Sequence, residues 1–546
     1  MSTTAVSATG GGTYGLSGSG MDIDAIVKKL MLSEQTKADA LVQKKTVLQW
    51  KKAAYNTIYD DVNTFRGTTV FNTKLQANLS PNKVSSSNTS VLTATASAAA
   101  VAVNHSVVVG QLAGGVNLTS GKAISATQPP TLGTLATQLG MPANSAAFNI
   151  IITNGTSASQ SIAIDPTVDS ISDVVNKINS AGVNVQASYD SNLDRFFLAT
   201  TTAGATSGIS FAGSDQAGLN FIGNQLGLGG VSTADSGATY TSAPVNGQDA
   251  VFQLDGVSLT KPSNTFTIAG VAYNLTGVTP GATTSADHKT VTGSGQPTSL
   301  SITSDVSAAV ANIQSFVDSY NKILDEVNGK LKETRYTDYP PLTDTQKTAM
   351  KDADIAAWTT KAQSGMLYSD STLTTLVNNM RSALSNPVSG VTGPYTSAAS
   401  IGITTGAYTE GGKLHLDVNK LTAALNANPN VLQQLFGASG ATTTNGVTTT
   451  DSKSQGIAGR LYDGLQNTMN QLNKIAGTTA NSQFDVSSNV AKSIVSYNKQ
   501  IANETTRFNM VQKAYYTQYN AMEVALSKLS SQSSWLTSQM SASSTG

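Results

Sequence analysis

The 546-residue chain contains no cysteine, only three histidines and three tryptophans, and no surplus of either charge, with 33 basic against 33 acidic residues. Without a thiol there is no disulfide framework, no thiolate zinc site and no cysteine nucleophile. The same absence suits a protein exported as an unfolded chain, where thiols are a hazard. Charged residues make up 12% of the chain, against roughly 25% in ordinary soluble proteins. Gly, Ser, Thr, Asn and Ala fill the difference. Balanced charge leaves no basic stripe for nucleic acid and none for an anionic lipid surface. No run approaches the ~18 consecutive apolar residues of a membrane-spanning helix, so no membrane insertion is expected. Residues 1–20 are mostly Ser, Thr, Gly and Ala. They lack the positive and apolar regions of a secretory signal peptide and are expected to form a disordered leader.

Candidate chemistry is sparse. His105, His288 and His415 lie far apart, with no second histidine or carboxylate at metal spacing. Structural or solvated roles are expected for all three. Gly15–Gly20 is glycine-rich before a helix, yet no strand precedes it and no Lys-Ser/Thr follows, so it reads as a hinge rather than a phosphate loop. Asp352 and Asp354 read as a solvated helix start. No catalytic constellation emerges, and no enzyme activity, cofactor or metal is expected.

What the chain does have is a long apolar ladder at its C-terminal end. Ile494, Ile501, Phe508, Tyr515, Met522, Leu529 and Leu536 recur every seventh position. A seven-residue repeat keeps one seam of an α-helix facing a partner. The half-step positions Tyr497, Glu504, Val511, Gln518, Ala525, Gln532 and Gln539 are largely polar. One narrow stripe stabilises a lone helix too little, so another helix, and other subunits, should complete it. Near the N-terminus Leu41, Leu48, Tyr55 and Val62 also recur by seven. Helix is expected from Met21–Asp22 to about Leu75, with Asp22 or Asp24 capping its start and Ile23, Ile26, Val27 and Leu30 on one face.

Between the ends the period becomes two. Val101, Val103, Val107 and Val109 alternate, as do Phe148, Ile150 and Ile152, then Val183, Val185, Ala187 and Tyr189, and Val271, Tyr273 and Leu275. This spacing predicts half-buried strands. One short helix is predicted at Ile171–Ile178, started by Asp169 or Ser170. Helix returns after Ser304–Asp305, where Val306, Val310, Ile313, Val317, Tyr320, Leu324, Val327 and Leu331 form a bundle seam. Further helices are predicted at 345–365, 368–386 and 417–436, with a hairpin over Ala398–Asp417 turning at Gly411–Gly412. A Gly/Thr/Ser loop is predicted at 437–456, followed by the long C-terminal helix. The predicted class is α+β multidomain: long terminal coiled-coil helices, a helical bundle with a small β-hairpin, and two inserted β-rich domains. The expected parts are the leader 1–20, a terminal leg (21–45 with 505–546) and a bundle (46–87 with 301–504). The rest is a β-rich domain (88–122 with 245–300) carrying an outer β-rich insert with one short helix (123–244).

Several stretches, in order, resemble the flagellar filament cap family, also called hook-associated protein 2. Gly18–Val27 is similar to the family's opening segment, with Met21 where Leu is usual, and Lys44–Arg66 resembles its next helix. Phe252–Val257 with Ser263-Asn264-Thr265 resembles its LDG…SNT strands, and Ser304–Asn321 its SD…FVDSYN helix. Pro341–Asp344 with Trp358, Ile401–Ile403 with Gly412–Leu414, and Met522-Glu523 with Ser534-Trp535-Leu536 resemble later family segments. The match covers nearly all of the chain outside about 120–245.

The resemblance implies a structural, non-enzymatic protein at the distal tip of the bacterial flagellum. It would retain exported flagellin and promote its folding and polymerisation. It implies a ring-like homo-oligomer, with five subunits as the family-based expectation. Implied partners are flagellin, the hook–filament junction protein, and an export chaperone on the C-terminal helix. Export would proceed by the flagellar type III route, without a cleaved signal peptide. The expected partner-binding residues are Ile23, Ile26, Val27, Leu30, Phe508, Tyr515, Met522, Leu529 and Leu536. For Phe508 and Tyr515, packing within one subunit is the competing reading. Alternatives for the whole chain are another axial protein, such as flagellin or a hook–filament junction protein, or a surface adhesin using its β domains.

Overall fold

The structure is a computed structural model that describes residues 22–155, 157–233, 239–444 and 447–543. The predicted leader, the Gly15–Gly20 hinge and Met21 lie outside the described residues. The architecture is α+β. The chain divides into two compact units, one formed by the chain up to Leu79 and again from Val306, the other by Ser80–Asp305.

The first unit is helical. Helix α1 (Ile23–Thr64) starts at Asp22, whose carboxylate accepts from the Ala25 amide at 2.9 Å, satisfying an amide that has no partner inside the helix. Its later turns bury Tyr55, Ile58 and Val62, and a wider π-helical stretch, Phe65–Val70, continues it. Helix α2 (Val306–Lys332) follows the predicted seam: Ile313, Val317, Tyr320, Leu324 and Val327 are buried. Helices α3 (Ser371–Ser385) and α4 (Ile457–Ala476) close the same core with Leu373, Leu376 and Met380, and with Leu461, Leu465 and Leu472. Phe316 meets Phe436 edge-on, with ring centroids 5.6 Å apart, an arrangement favoured by the ring quadrupoles. Asp370 caps α3 through the amides of Thr372 and Leu373 and also accepts from the Tyr55 hydroxyl, tying α1 to the start of α3.

Five predicted segments differ in detail. The helix expected at 345–365 is two, Asp344–Thr348 and Asp352–Gln363, and that at 417–436 breaks at Asn428 into Val418–Ala427 and Val431–Leu435. The hairpin is shorter than predicted. Ile403–Thr405 pairs with Leu414–Leu416, Ala398–Ile401 is a 3-10 turn, and Gly411 and Gly412 take the positive φ values the reversal requires. Residues 437–456 are not a loop: Ser439–Thr444 pairs with Val447–Gln455. Threonine is β-branched and fits a strand without apolar alternation, so no period of two marks it. Finally, the helix expected after 456 is interrupted. α4 ends at Gly477 (φ +73°), and α5 (Asn489–Ser543) begins after a connection of residues 477–488.

The second unit is built on a five-stranded antiparallel sheet in the spatial order Asn82–Ser86, Thr298–Ser304, Asn104–Gln111, Ala250–Leu254, Val257–Lys261. A three-stranded sheet (Thr265–Ile268, Val271–Leu275, Leu92–Ala96) shares its core, where Phe252, Phe266 and Tyr273 stack at 4.7 and 5.5 Å. The alternation Val271, Tyr273, Leu275 is buried as predicted, but Val101 and Val103 are exposed and the strand starts at Asn104.

A separate core in this unit gathers Phe148, Ile150, Ile152, Val185, Ala187, Phe196 and Leu198 under the helix Ile171–Ser180. Ser170 and Asp173 form a reciprocal capping box there, at 3.2 and 2.9 Å. Replacing Ser170 by Ala should lower the stability of the protein by about 1 kcal/mol, read as a lower midpoint in urea. Two further short helices, Leu135–Leu139 and Gln216–Asn220 (running on to Gln225), add to the single one predicted. At five residues Leu135–Leu139 is too short to show a helical period. Among the described residues no helix is long and apolar enough to cross a membrane.

Candidate functional site

α1 and α5 pack together antiparallel: Lys52 meets Asp485 just before α5, Glu34 meets Arg507, and Asp24 meets Tyr516. Near the α1 start the contact is apolar. Val27, Met31 and Phe508 are buried, with Ile23, Val511, Tyr515, Tyr516 and Tyr519 packed against them. Polar contacts flank this cluster. The Tyr516 hydroxyl donates to Asp24 Oδ1 at 2.9 Å, and partial burial together with that carboxylate raises the phenol above its ordinary pKa. Arg507 bridges Glu504, at 2.7 Å, and Glu34.

The structure thus brings Ile23, Val27, Phe508 and Tyr515 together within one chain. Ile26 is half-buried. Leu30, Met522, Leu529 and Leu536 are exposed, at 40%, 38%, 60% and 53%, and do not join the cluster. The sequence-based selection missed Met31, Val511, Tyr516 and Tyr519. Their signal was present at helical spacing: Met31 lies four residues after Val27, Val511 three after Phe508, and Tyr519 four after Tyr515. A straight helix drifts about 20° per seven residues against a 3.5-residue repeat, so the packed stripe moves from Gln518 to Tyr519.

The apolar packing on α1 reaches Tyr519. Residues 520–543 continue α5 by roughly 36 Å at about 1.5 Å per residue. Met522, Val524, Leu526, Leu529, Trp535, Leu536 and Met540 are all exposed along it. Met522, Leu526, Leu529, Leu536 and Met540 share one face at helical spacing, and Val524 and Trp535 lie on the opposite one.

At the other end of the pairing, the connection 477–488 is clamped onto α1. Lys52 Nζ lies 3.0 Å from Asp485 Oδ2, both side chains being nearly buried, and donates to Ser482 O at 3.1 Å. Thr479 donates to Asp60 at 2.6 Å. Asp485 also accepts from the Ser487 and Ser488 amides and from the Ser488 hydroxyl, at 2.6 Å. Burial alone would raise its pKa. The Ser488 hydroxyl and amide, Lys52 and the Ser487 amide outweigh that and hold the carboxyl well below the usual carboxylate range.

The histidines are each taken up by a neighbour: His105 by Asp255 at 2.7 Å, His288 by Gln111 at 2.8 Å, and His415 by Glu410 at 2.6 Å. Asp352 and Asp354 sit in the first turn of their helix. Among the described residues no group of three or more His, Asp or Glu is placed to hold a metal.

Comparison with known proteins bears on the whole chain. Residues 247–531 match the family Flagellar hook-associated protein 2 C-terminus, and residues 19–115 match Flagellar hook-associated protein 2 N-terminus. The Flagellar hook-associated protein 2 of Halalkalibacterium halodurans is 28% identical over 544 residues, covering 94% of this chain and 97% of that protein. Its namesake in Escherichia coli K12 is 26% identical, covering 96% of each. The crystal structure of the flagellar cap protein FliD D1-D2-D3 domains from Escherichia coli shares the fold, with a TM-score of 0.53 and 24% identity over 78% of this chain and 97% of that one. The chain belongs to the flagellar hook-associated protein 2 family.

Proposed function

We propose that this chain caps the distal tip of a bacterial flagellar filament as a closed ring of its own copies, retaining exported flagellin and promoting its folding and polymerisation. The observation that carries the reading is the length of α5 beyond its pairing with α1, with Met522, Leu529 and Leu536 exposed along it. A helix whose first part packs within one chain and whose last part carries an exposed apolar row is suited to docking into neighbouring copies and the filament end. Residues 21–45 with 505–546 act as the leg. Residues 46–87 with 301–504 form the bundle, 88–122 with 245–300 a β-rich domain, and 123–244 the outer insert. Flagellin and the hook–filament junction protein are the partners. An export chaperone covers the C-terminal helix before assembly, and export follows the flagellar type III route without a cleaved signal peptide. Ring closure fits the symmetry of most homo-oligomers, and five subunits remains the family-based number.

The test is complementation of a cap-deficient strain with this chain. Filament growth is the expected result, and continued leakage of monomeric flagellin into the medium would reject the reading. A finer expectation concerns Gln518 and Gln532, both exposed on α5. A polar half-seam lets subunits release and rebind as the filament lengthens. The double change to Leu should therefore slow filament elongation while leaving ring assembly intact, measured as filament length per unit time. Unchanged elongation would remove that role.

A further inference from the structure

The connection 477–488 turns Asp485 inward onto Lys52, and alternation along the chain then throws both neighbours outward. Phe484 is 83% exposed and Val486 68%. A bare phenylalanine held on a loop by a nearly buried ion pair is a preorganised knob, and large aromatic anchors are the residue type that dominates interface energetics.

The same helical unit carries a matching hole. Thr68, Thr69, Asn72, Asn78, Asn312 and Ser315 rim a cavity of about 220 Å³, and Leu79, Ile313 and Phe316 form its floor. An engineered apolar cavity of ~150 Å³ holds a benzene molecule, so this one has room for the ring of Phe484. The charges also match. The rim and floor contain no ionisable residue, and Asp485, the only one in the connection, is already paired with Lys52. Seating the loop in the cavity therefore strands no charge, whereas a charged partner would leave one unpaired.

We infer that Phe484 of one copy inserts into the Thr68–Phe316 cavity of a second copy of this chain. Knob and hole are different surfaces, so the contact is head-to-tail. Such contacts generate a ring when the rotation closes. The inference rests on the ring-forming reading above and assigns it a specific contact.

The absence of cysteine gives a background-free test. Phe484→Cys and Ser315→Cys are made as separate full-length variants, mixed and mildly oxidised. A disulfide-linked dimer is expected in the mixture and in neither variant alone, and the double variant should give a covalent ring. Phe484→Ala, which removes an exposed side chain and leaves folding unchanged, should weaken assembly by about 30-fold, as for loss of one interface hot spot. Self-linking of Phe484→Cys would show a two-fold contact and overturn the proposal. So would assembly of the mixture, seen by native mass spectrometry, without a cross-link. An unmodified chain that stays monomeric would sink the ring reading and this contact with it. Assembly without the cross-link sinks only the contact.

Discussion

Replacing Lys52 by Met should destabilise the helical unit by about 3 kcal/mol, the lower end of what is lost when one partner of a buried ion pair is removed. The cause is what the change leaves behind. Asp485 keeps only 5% of its side chain in solvent and loses its cation, while Ser482 loses a donor. Asp485→Asn should cost a similar amount, because it removes the charge and weakens the bonds from Ser487, Ser488 and Lys52. The two effects should not add, since both variants break one network. A pH series separates charge from shape. Asp485 has a folded pKa held below its unfolded value of about 3.9. Its contribution is therefore full above about pH 4 and is lost as pH falls through the folded pKa. Urea midpoints of the native chain should drop on acidification below pH 4, and those of Asp485→Asn should drop less. Equal acid sensitivity in both would remove Asp485 from the account.

Phe508→Ala should cost about 3–5 kcal/mol at the leg, the usual range for emptying a buried phenylalanine site. Phe508 is 5% exposed and sits with Val27 and Met31. That cluster holds three buried residues, whereas the bundle core is many times larger. The loss should therefore exceed the local stability of the α1–α5 contact and open it without melting the bundle. Hydrogen exchange should accelerate in residues 23–34 and 504–519 and stay unchanged in α2 and α4. Acceleration in α2 as well would show that leg and bundle unfold as one unit.

Much of the fold was legible because long elements repeat their signal. Val306–Leu331 shows eight apolar positions at alternating steps of four and three, and the helix follows them; Val271, Tyr273 and Leu275 bury as a strand face. Short or polar elements carried no such signal. The five-residue helix Leu135–Leu139 cannot complete a helical period, and the threonine-rich pair Ser439–Thr444 and Val447–Gln455 has no apolar alternation to find. Val101 and Val103 extend the alternation of a strand that begins only at Asn104. Of the candidate site, the C-terminal ladder picked out Phe508 and Tyr515 and the face of the first helix picked out Val27, all as partner contacts, while their packing against one another within the chain was only the competing reading. The clamp at Lys52 and Asp485 did not, because it joins residues more than 400 positions apart and no local pattern encodes that distance.

The end of α5 beyond Tyr519 is where folding and function separate. Leu529 and Leu536 are exposed, so Leu529→Asp with Leu536→Asp should change stability by no more than about 0.5 kcal/mol per site. If the exposed row docks the ring onto its neighbours and the filament, the same double variant should fail in a cap-deficient strain. The decisive measurement is the ratio of monomeric flagellin in the medium to flagellin in filaments, taken alongside the thermal melt of the purified variant. A native melt with flagellin lost to the medium is the predicted result. A native melt with filaments of ordinary length would contradict the account.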